Sequence, residues 1–170
     1  KIITIPDPIL RQISEPVKSF DKEIKKLSED MLETMYEAPG IGLAAVQVGV
    51  LKRVIVIDLS KKDEKKNPIF IIKPELTFKS DDLVSCEEGC LSIPSQFAEV
   101  KRPNKCNIKY LDIEGNEKEI KAEGLLSTCI QHEIDHLNGI LFIDHLSKLK
   151  KDLIIKKVNK QKKEIDKVID

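Results

Sequence analysis

The sequence predicts an α+β fold, with short, mostly antiparallel sheets packed around one central helix and a further helix towards each end. Three observations predict it. Apolar residues recur at helical spacing in an early stretch and again around residues 125–137. The middle of the chain consists of short β-branched runs broken by turn residues. The last stretch is long, lysine-rich and free of proline.

Pro6, Pro8 and Pro16 fix φ along the opening segment, which is therefore extended or turned rather than one long helix. Asp21 suits the N-cap of a first helix whose buried face is Ile24, Leu27, Met31, Leu32 and Met35, ending by Pro39-Gly40. After the stretch GIGLAAVQ (residues 40–47), Arg53–Asp58 reads as a buried strand, and Lys61–Pro68 as a polar loop. IFIIKPELTF holds Pro74, which cannot donate to a ladder, so it forms two short strands or one with a bulge. Lys105–Ile113 alternates, Glu114-Gly115-Asn116 turns, and EKEIKAE returns as a hairpin. A second helix starts around Gly124, carries LLSTCIQHEIDHL and stops at Gly139 in the C′ position. The last helix runs from about Ser147, with Leu149, Leu153, Val158, Ile165 and Val168 as a rough apolar stripe. No internal repeat is evident. One catalytic domain over residues 1–170 is expected, of which about 147–170 is the C-terminal helix.

Composition narrows the function. The 170 residues suffice for one sizeable core. Lys plus Arg and Asp plus Glu both number 29, so net charge gives no argument for DNA or any other polyanion. No apolar run is long enough to span a bilayer, and the opening KIITIPDPIL lacks the character of a secretion or transit signal, so no membrane partner and a cytoplasmic location are expected. Cys86, Cys90, Cys106 and Cys129 are then expected as reduced thiols.

The chemistry centres on His132-Glu133-Ile134-Asp135-His136, an H-E-x-x-H pattern. Residues four apart on a helix lie about 400° round, so the two imidazoles share a face and can bind one divalent ion. Glu133 lies about 100° from His132 and can reach a water on the ion without being a ligand. The competing reading is a pair of polar surface histidines. Two of only three histidines fall in the pattern; the third, His145, lies beyond Gly139 and reads as surface or packing.

A catalytic site usually takes three protein ligands and a water. The downstream third-histidine position of one zincin type holds Phe142, and Glu164 sits on the lysine-rich helix with nothing to suggest burial. The third ligand is therefore sought upstream. Cys90, in Glu88-Gly89-Cys90-Leu91-Ser92, is the best candidate, against the alternative of a small buried hydrophobe. Cys86 and Cys106 read as such hydrophobes. Cys129 shares the stripe of His132 and is expected to pack beneath the site.

Three segments together, Gly40–Gln47, Glu88–Ser92 and Gln131–His136, resemble the signature of peptide deformylases in content and order. The resemblance implies one ion held by Cys90, His132 and His136, with Fe²⁺ as the native metal and Zn²⁺, Ni²⁺ or Co²⁺ able to occupy the site. It implies hydrolysis of the formyl group on N-formylmethionyl nascent peptides, with Glu133 as general base and then acid. The Gln47 amide and the Leu91 backbone N–H would face the oxyanion; taken alone, Gln47 could equally be a turn or surface residue. Gly40 and Gly42 would let an extended substrate backbone lie close, or simply bend the loop after the first helix. Ile41, Leu125, Cys129 and His132 would line the methionine pocket, with Thr128 and Phe97 departing from some relatives. Glu88 and Arg102 either form an ion pair bracing the Cys90 loop or are ordinary surface residues. In related bacterial enzymes a C-terminal helix can dock on the ribosome, so the lysine-rich segment is read as a ribosome contact or as a solvated amphipathic helix. A metallopeptidase and an inactive ribosome-associated binding module are the rival functions; Cys90 speaks against the first and an intact Glu133 against the second.

Overall fold

The structure, a computed structural model, describes residues 1–169. Helix α1 spans Lys22–Glu37, and Asp21 caps it by accepting a hydrogen bond from the Ile24 N–H at 3.1 Å. Strands β1 (Gly42–Ala44), β2 (Val54–Ile57), β3 (Ile69–Lys79), β6 (Lys105–Leu111) and β7 (Glu117–Glu123) form one antiparallel sheet in the order β1-β2-β3-β6-β7. Strands β4 (Leu83–Cys90) and β5 (Ile93–Pro103) form a separate antiparallel hairpin. Helices α2 (Leu125–Leu137) and α3 (Lys148–Ile169) follow.

Strand β2 explains the layering. All four of its residues are buried, because alternate side chains face opposite sides of the sheet and both sides are covered. Ile55 and Ile57 pack with Ile71, Ile108, Ile130 and Leu137, so α2 lies on that face. Val54 and Val56 pack with Ile24, Met31 and Met35, so α1 lies on the other. A fully buried Val, Ile or Met contributes about 1.5–3 kcal/mol, which fixes α2 firmly against the sheet. Pro74 sits at a register shift between Ile72 and Glu75, the bulge the sequence allowed, with Lys73 at φ 55°. Asn138 ends α2 and Gly139 takes φ 75°, where an added β-carbon would run into the Arg11 carbonyl.

One expectation needs correction. Of the apolar stripe assigned to the last helix only Val158 packs, at 2% exposed: Leu149 and Val168 are 71% and 86% exposed, and Leu153 and Ile165 are also exposed. The docked face is Lys151, Ile154, Val158 and Lys162, at helical spacing. Ile154 and Val158 join Ile93, Val100 and Phe142, Lys151 pairs with Asp144, and Lys162 donates to the Ile5 carbonyl. Helical phase allows both faces; contact with β5 and the preceding turn chooses between them. The segment 42–48, which the sequence left unassigned, folds as the short strand β1 and a 3₁₀ turn (Ala45–Val48).

Candidate metal centre

Helix α2 is almost wholly enclosed, so its polar residues sit where burial must be compensated. His132, Glu133 and His136 are 8%, 5% and 1% exposed. The hairpin brings Cys90 to them across 46 residues of sequence, with its Sγ 3.3 Å from His136 Nε2. The donor atoms of Cys90, His132 and His136 all lie within 4.8 Å of one another. Bonds of about 2.0–2.3 Å in a tetrahedral set put neighbouring donors about 3.5 Å apart, so one thiolate and two imidazoles fit a single divalent ion.

The state of each donor has a local cause. Burial would raise the Cys90 pKa, but the neighbouring His136 and His132 rings outweigh it and hold the thiol well below its ordinary value, favouring thiolate. His132 Nδ1 faces Glu88 Oε1 at 2.9 Å. A carboxylate there makes Nδ1 the protonated nitrogen and leaves Nε2 as the ligand. Glu88 is itself paired twice by Arg102, Nε to Oε2 at 2.7 Å and Nη2 to Oε1 at 3.0 Å, with both side chains buried. Of the two readings of this pair, the brace behind the Cys90 strand is the one observed. Burial pushes the Glu133 carboxyl up, and its Oε1 is buried without a protein partner among the described residues.

The three stretches singled out in the sequence meet around a cleft of ≈ 610 Å³, lined by Gly40, Ile41, Gly42, Gln47, Cys90, Leu91, Leu125, Cys129, His132 and Glu133 among others. His136 stands behind this wall. Gln47 is 1% exposed, so the surface alternative for it falls. Its Oε1 accepts from the Ala44 N–H at 2.9 Å, and its Nε2 donates to Ser92 Oγ at 3.0 Å and points at Cys90 Sγ, 3.5 Å away. Burial, with the Glu133 charge behind it, pushes the Cys129 thiol up to about 12; this thiol lines the cleft outside the donor cluster of Cys90, His132 and His136. Cys106 is fully buried, but Cys86 is only half-buried and lines the cleft, which corrects its reading as a core residue.

Sequence reasoning missed Ser92 as the orienter of Gln47, and Asp135, whose Oδ2 accepts from Arg102 Nη1 and His145 Nε2, both at 2.8 Å. Both lie inside the quoted motifs, but only the packed structure supplies their partners. His145 is partly exposed, as expected, yet it is tied to Asp135.

A thiolate and two imidazoles around one position, with a buried carboxylate beside them on an H-E-x-x-H helix, define a metal-dependent hydrolase. Residues 1–152 match the family model described as polypeptide deformylase, and the chain belongs to that family. It is 54% identical over 162 residues to a peptide deformylase of Rhizobium meliloti (strain 1021), covering 95% of this chain and 93% of that protein. It is 56% identical over 161 residues to one of Pelagibacter ubique (strain HTCC1062), covering 95% and 94%. The crystal structure of peptide deformylase from Ehrlichia chaffeensis superposes with a TM-score of 0.91 at 45% identity, covering 96% of each chain.

Proposed function

We propose that Glu133, Gln47 and the Leu91 backbone N–H perform the deformylase reaction in this cleft, beside an ion held by Cys90, His132 and His136. The chain is a peptide deformylase, and its substrates are formylated nascent peptides. The observation that carries the reading is the convergence of the Cys90 sulfur, from one strand, with two imidazoles of α2.

A divalent ion bound there would supply Lewis acidity and hydroxide near neutral pH. Glu133 takes the proton of the attacking water and hands it to the leaving amine as the formyl C–N bond breaks. Its unpartnered Oε1 and its raised pKa support that role. Gln47, anchored through Oε1, presents Nε2 to the charge that develops on the formyl oxygen, alongside the Leu91 N–H. Ile41, Leu125, Cys129 and the His132 ring enclose the methionine side chain, and Gly40 and Gly42 admit an extended substrate backbone. Formate release from formyl-Met-Ala-Ser, compared with its unformylated form, tests this. Glu133→Ala is expected to keep the ion and lose turnover; full activity in that variant would refute the assignment.

The native ion is proposed to be Fe²⁺, with Zn²⁺, Ni²⁺ or Co²⁺ as replacements. Iron on thiolate is oxygen-sensitive, so metal analysis of anaerobically purified protein is the check. One catalytic domain acting in the cytoplasm accords with this substrate, and among the described residues no helix is long and apolar enough to cross a membrane. Ribosome contact through α3 is supported by its exposed Lys156, Lys160 and Lys163. Deleting the helix would uncover Ile154 and Val158, so reversing those three charges is the cleaner test. Unchanged, salt-insensitive co-sedimentation with ribosomes would count against the contact.

A further inference from the structure

Behind the ligands runs one continuous row of hydrogen bonds. His132 Nδ1 meets Glu88 Oε1 at 2.9 Å, and Arg102 holds both oxygens of Glu88 at 2.7 and 3.0 Å. Arg102 Nη1 reaches Asp135 Oδ2 at 2.8 Å, and the same oxygen accepts from His145 Nε2 at 2.8 Å. The row crosses β4, β5, α2 and the 3₁₀ turn Phe142–His145. Side-chain exposure is 4% at Glu88, 5% at Arg102, 20% at Asp135 and 37% at His145. The row therefore has one wet end, and that end is an imidazole on a turn that takes no part in the cleft.

The turn is anchored. Asp144 Oδ2 accepts from Arg11 Nη1 at 2.5 Å and from the Leu141 N–H at 3.0 Å, and Oδ1 is ion-paired with Lys151 Nζ at 2.7 Å. His145 thus approaches Asp135 from a turn tied on both sides.

We propose that His145 is a positioning residue for the metal centre, acting on His132 through Asp135, Arg102 and Glu88. Asp135 Oδ2 shares its charge between two donors. If His145 is removed, that oxygen relies on Arg102 alone and draws the guanidinium towards α2. Arg102 then holds Glu88 less firmly, and Glu88 fixes the His132 ring less well. Partners of metal-ligating histidines commonly change metal affinity by about 10–100-fold, and a residue further back carries a smaller share. The inference rests on the reading of Cys90, His132 and His136 as the ligands.

The test measures release of Zn²⁺ or Co²⁺ to a chelator from the purified full chain. His145→Phe keeps the ring shape without a donor, and His145→Gln restores an N–H at similar reach. Release from His145→Phe is expected to be about 2–30-fold faster than from the unaltered chain, and His145→Gln is expected to return it to the original rate. In a Glu88→Gln background, His145→Phe is expected to add little, because the row is already cut. Equal release from His145→Phe and the unaltered chain would overturn the proposal. So would equally fast release from the Phe and Gln variants, which would mark lost packing rather than a lost donor. An unaltered chain that binds no ion would instead overturn the metal-centre reading itself.

Discussion

Glu133 Oε2 occupies the space beside Gly42, where an added β-carbon would come within 2.5 Å of it. The atom displaced by such a carbon is the far end of a flexible side chain, so Gly42→Ala is expected to fold normally. The carboxylate would move instead, and a misplacement of about 1 Å in a reacting group can cost about 10²-fold. Steady-state kinetics on a formylated peptide, with a thermal melt as control, would read a large fall in kcat against a nearly unchanged Tm. A melt that collapses while the remaining folded enzyme keeps its kcat would contradict this.

Gln47→Leu is expected to lower kcat by about 10²–10³ with a smaller change in KM, since its donor acts mainly on charge that develops in the transition state. Ser92→Ala frees the Gln47 amide from one of its anchors. It should produce a milder version of the same kcat defect. A pure KM effect in both variants would point to ground-state binding.

Arg102 is the only cation between two buried or half-buried carboxylates, Glu88 and Asp135, among the ion pairs described. Arg102→Leu is expected to destabilise the fold by about 3–5 kcal/mol, because it leaves Glu88 and Asp135 with only one imidazole partner each. Urea unfolding measures it; a loss below about 1 kcal/mol would mean water reaches the pair.

The turn at Asp144 gives a pH dependence. Burial would raise this carboxyl, but Arg11, Lys151 and the Leu141 N–H outweigh it and bring its pKa to about 2. A depressed folded-state pKa contributes stability that is present above the unfolded value, about 3.9, and is lost as pH falls through the folded value. Asp144→Asn is therefore expected to cost about 1–2 kcal/mol at pH 7, allowing for the partly exposed Arg11. The gap to the unaltered chain should close between about pH 4 and pH 2. Urea melts across that range check it, and a gap independent of pH would refute the ion-pair account.

Local chemistry was readable from the sequence wherever it acts within one element. Asp21 as a cap, Glu114-Gly115-Asn116 as a turn and the shared face of His132 and His136 all follow from spacing alone. Cys90 was reachable by elimination, since no downstream residue could complete the ligand set. Less of the support was legible. The Glu88–Arg102 pair was one of two readings, but nothing in the sequence reveals that Glu88 also meets His132, 44 residues away, or that Arg102 also reaches Asp135. The docked face of α3 was only partly read, with Val158 included and Ile154 missed, for a similar reason: Leu149 and Leu153 are as apolar as Ile154, and only the position of β5 distinguishes them.

X-ray absorption on the metal-loaded chain, paired with metal content of Cys90→Ala, reaches the centre of the matter. One ion per chain with a single sulfur at about 2.3 Å and nitrogen neighbours is expected, with the ion lost or much weakened in the variant. An ion lacking any sulfur neighbour, or undiminished binding without Cys90, would contradict it.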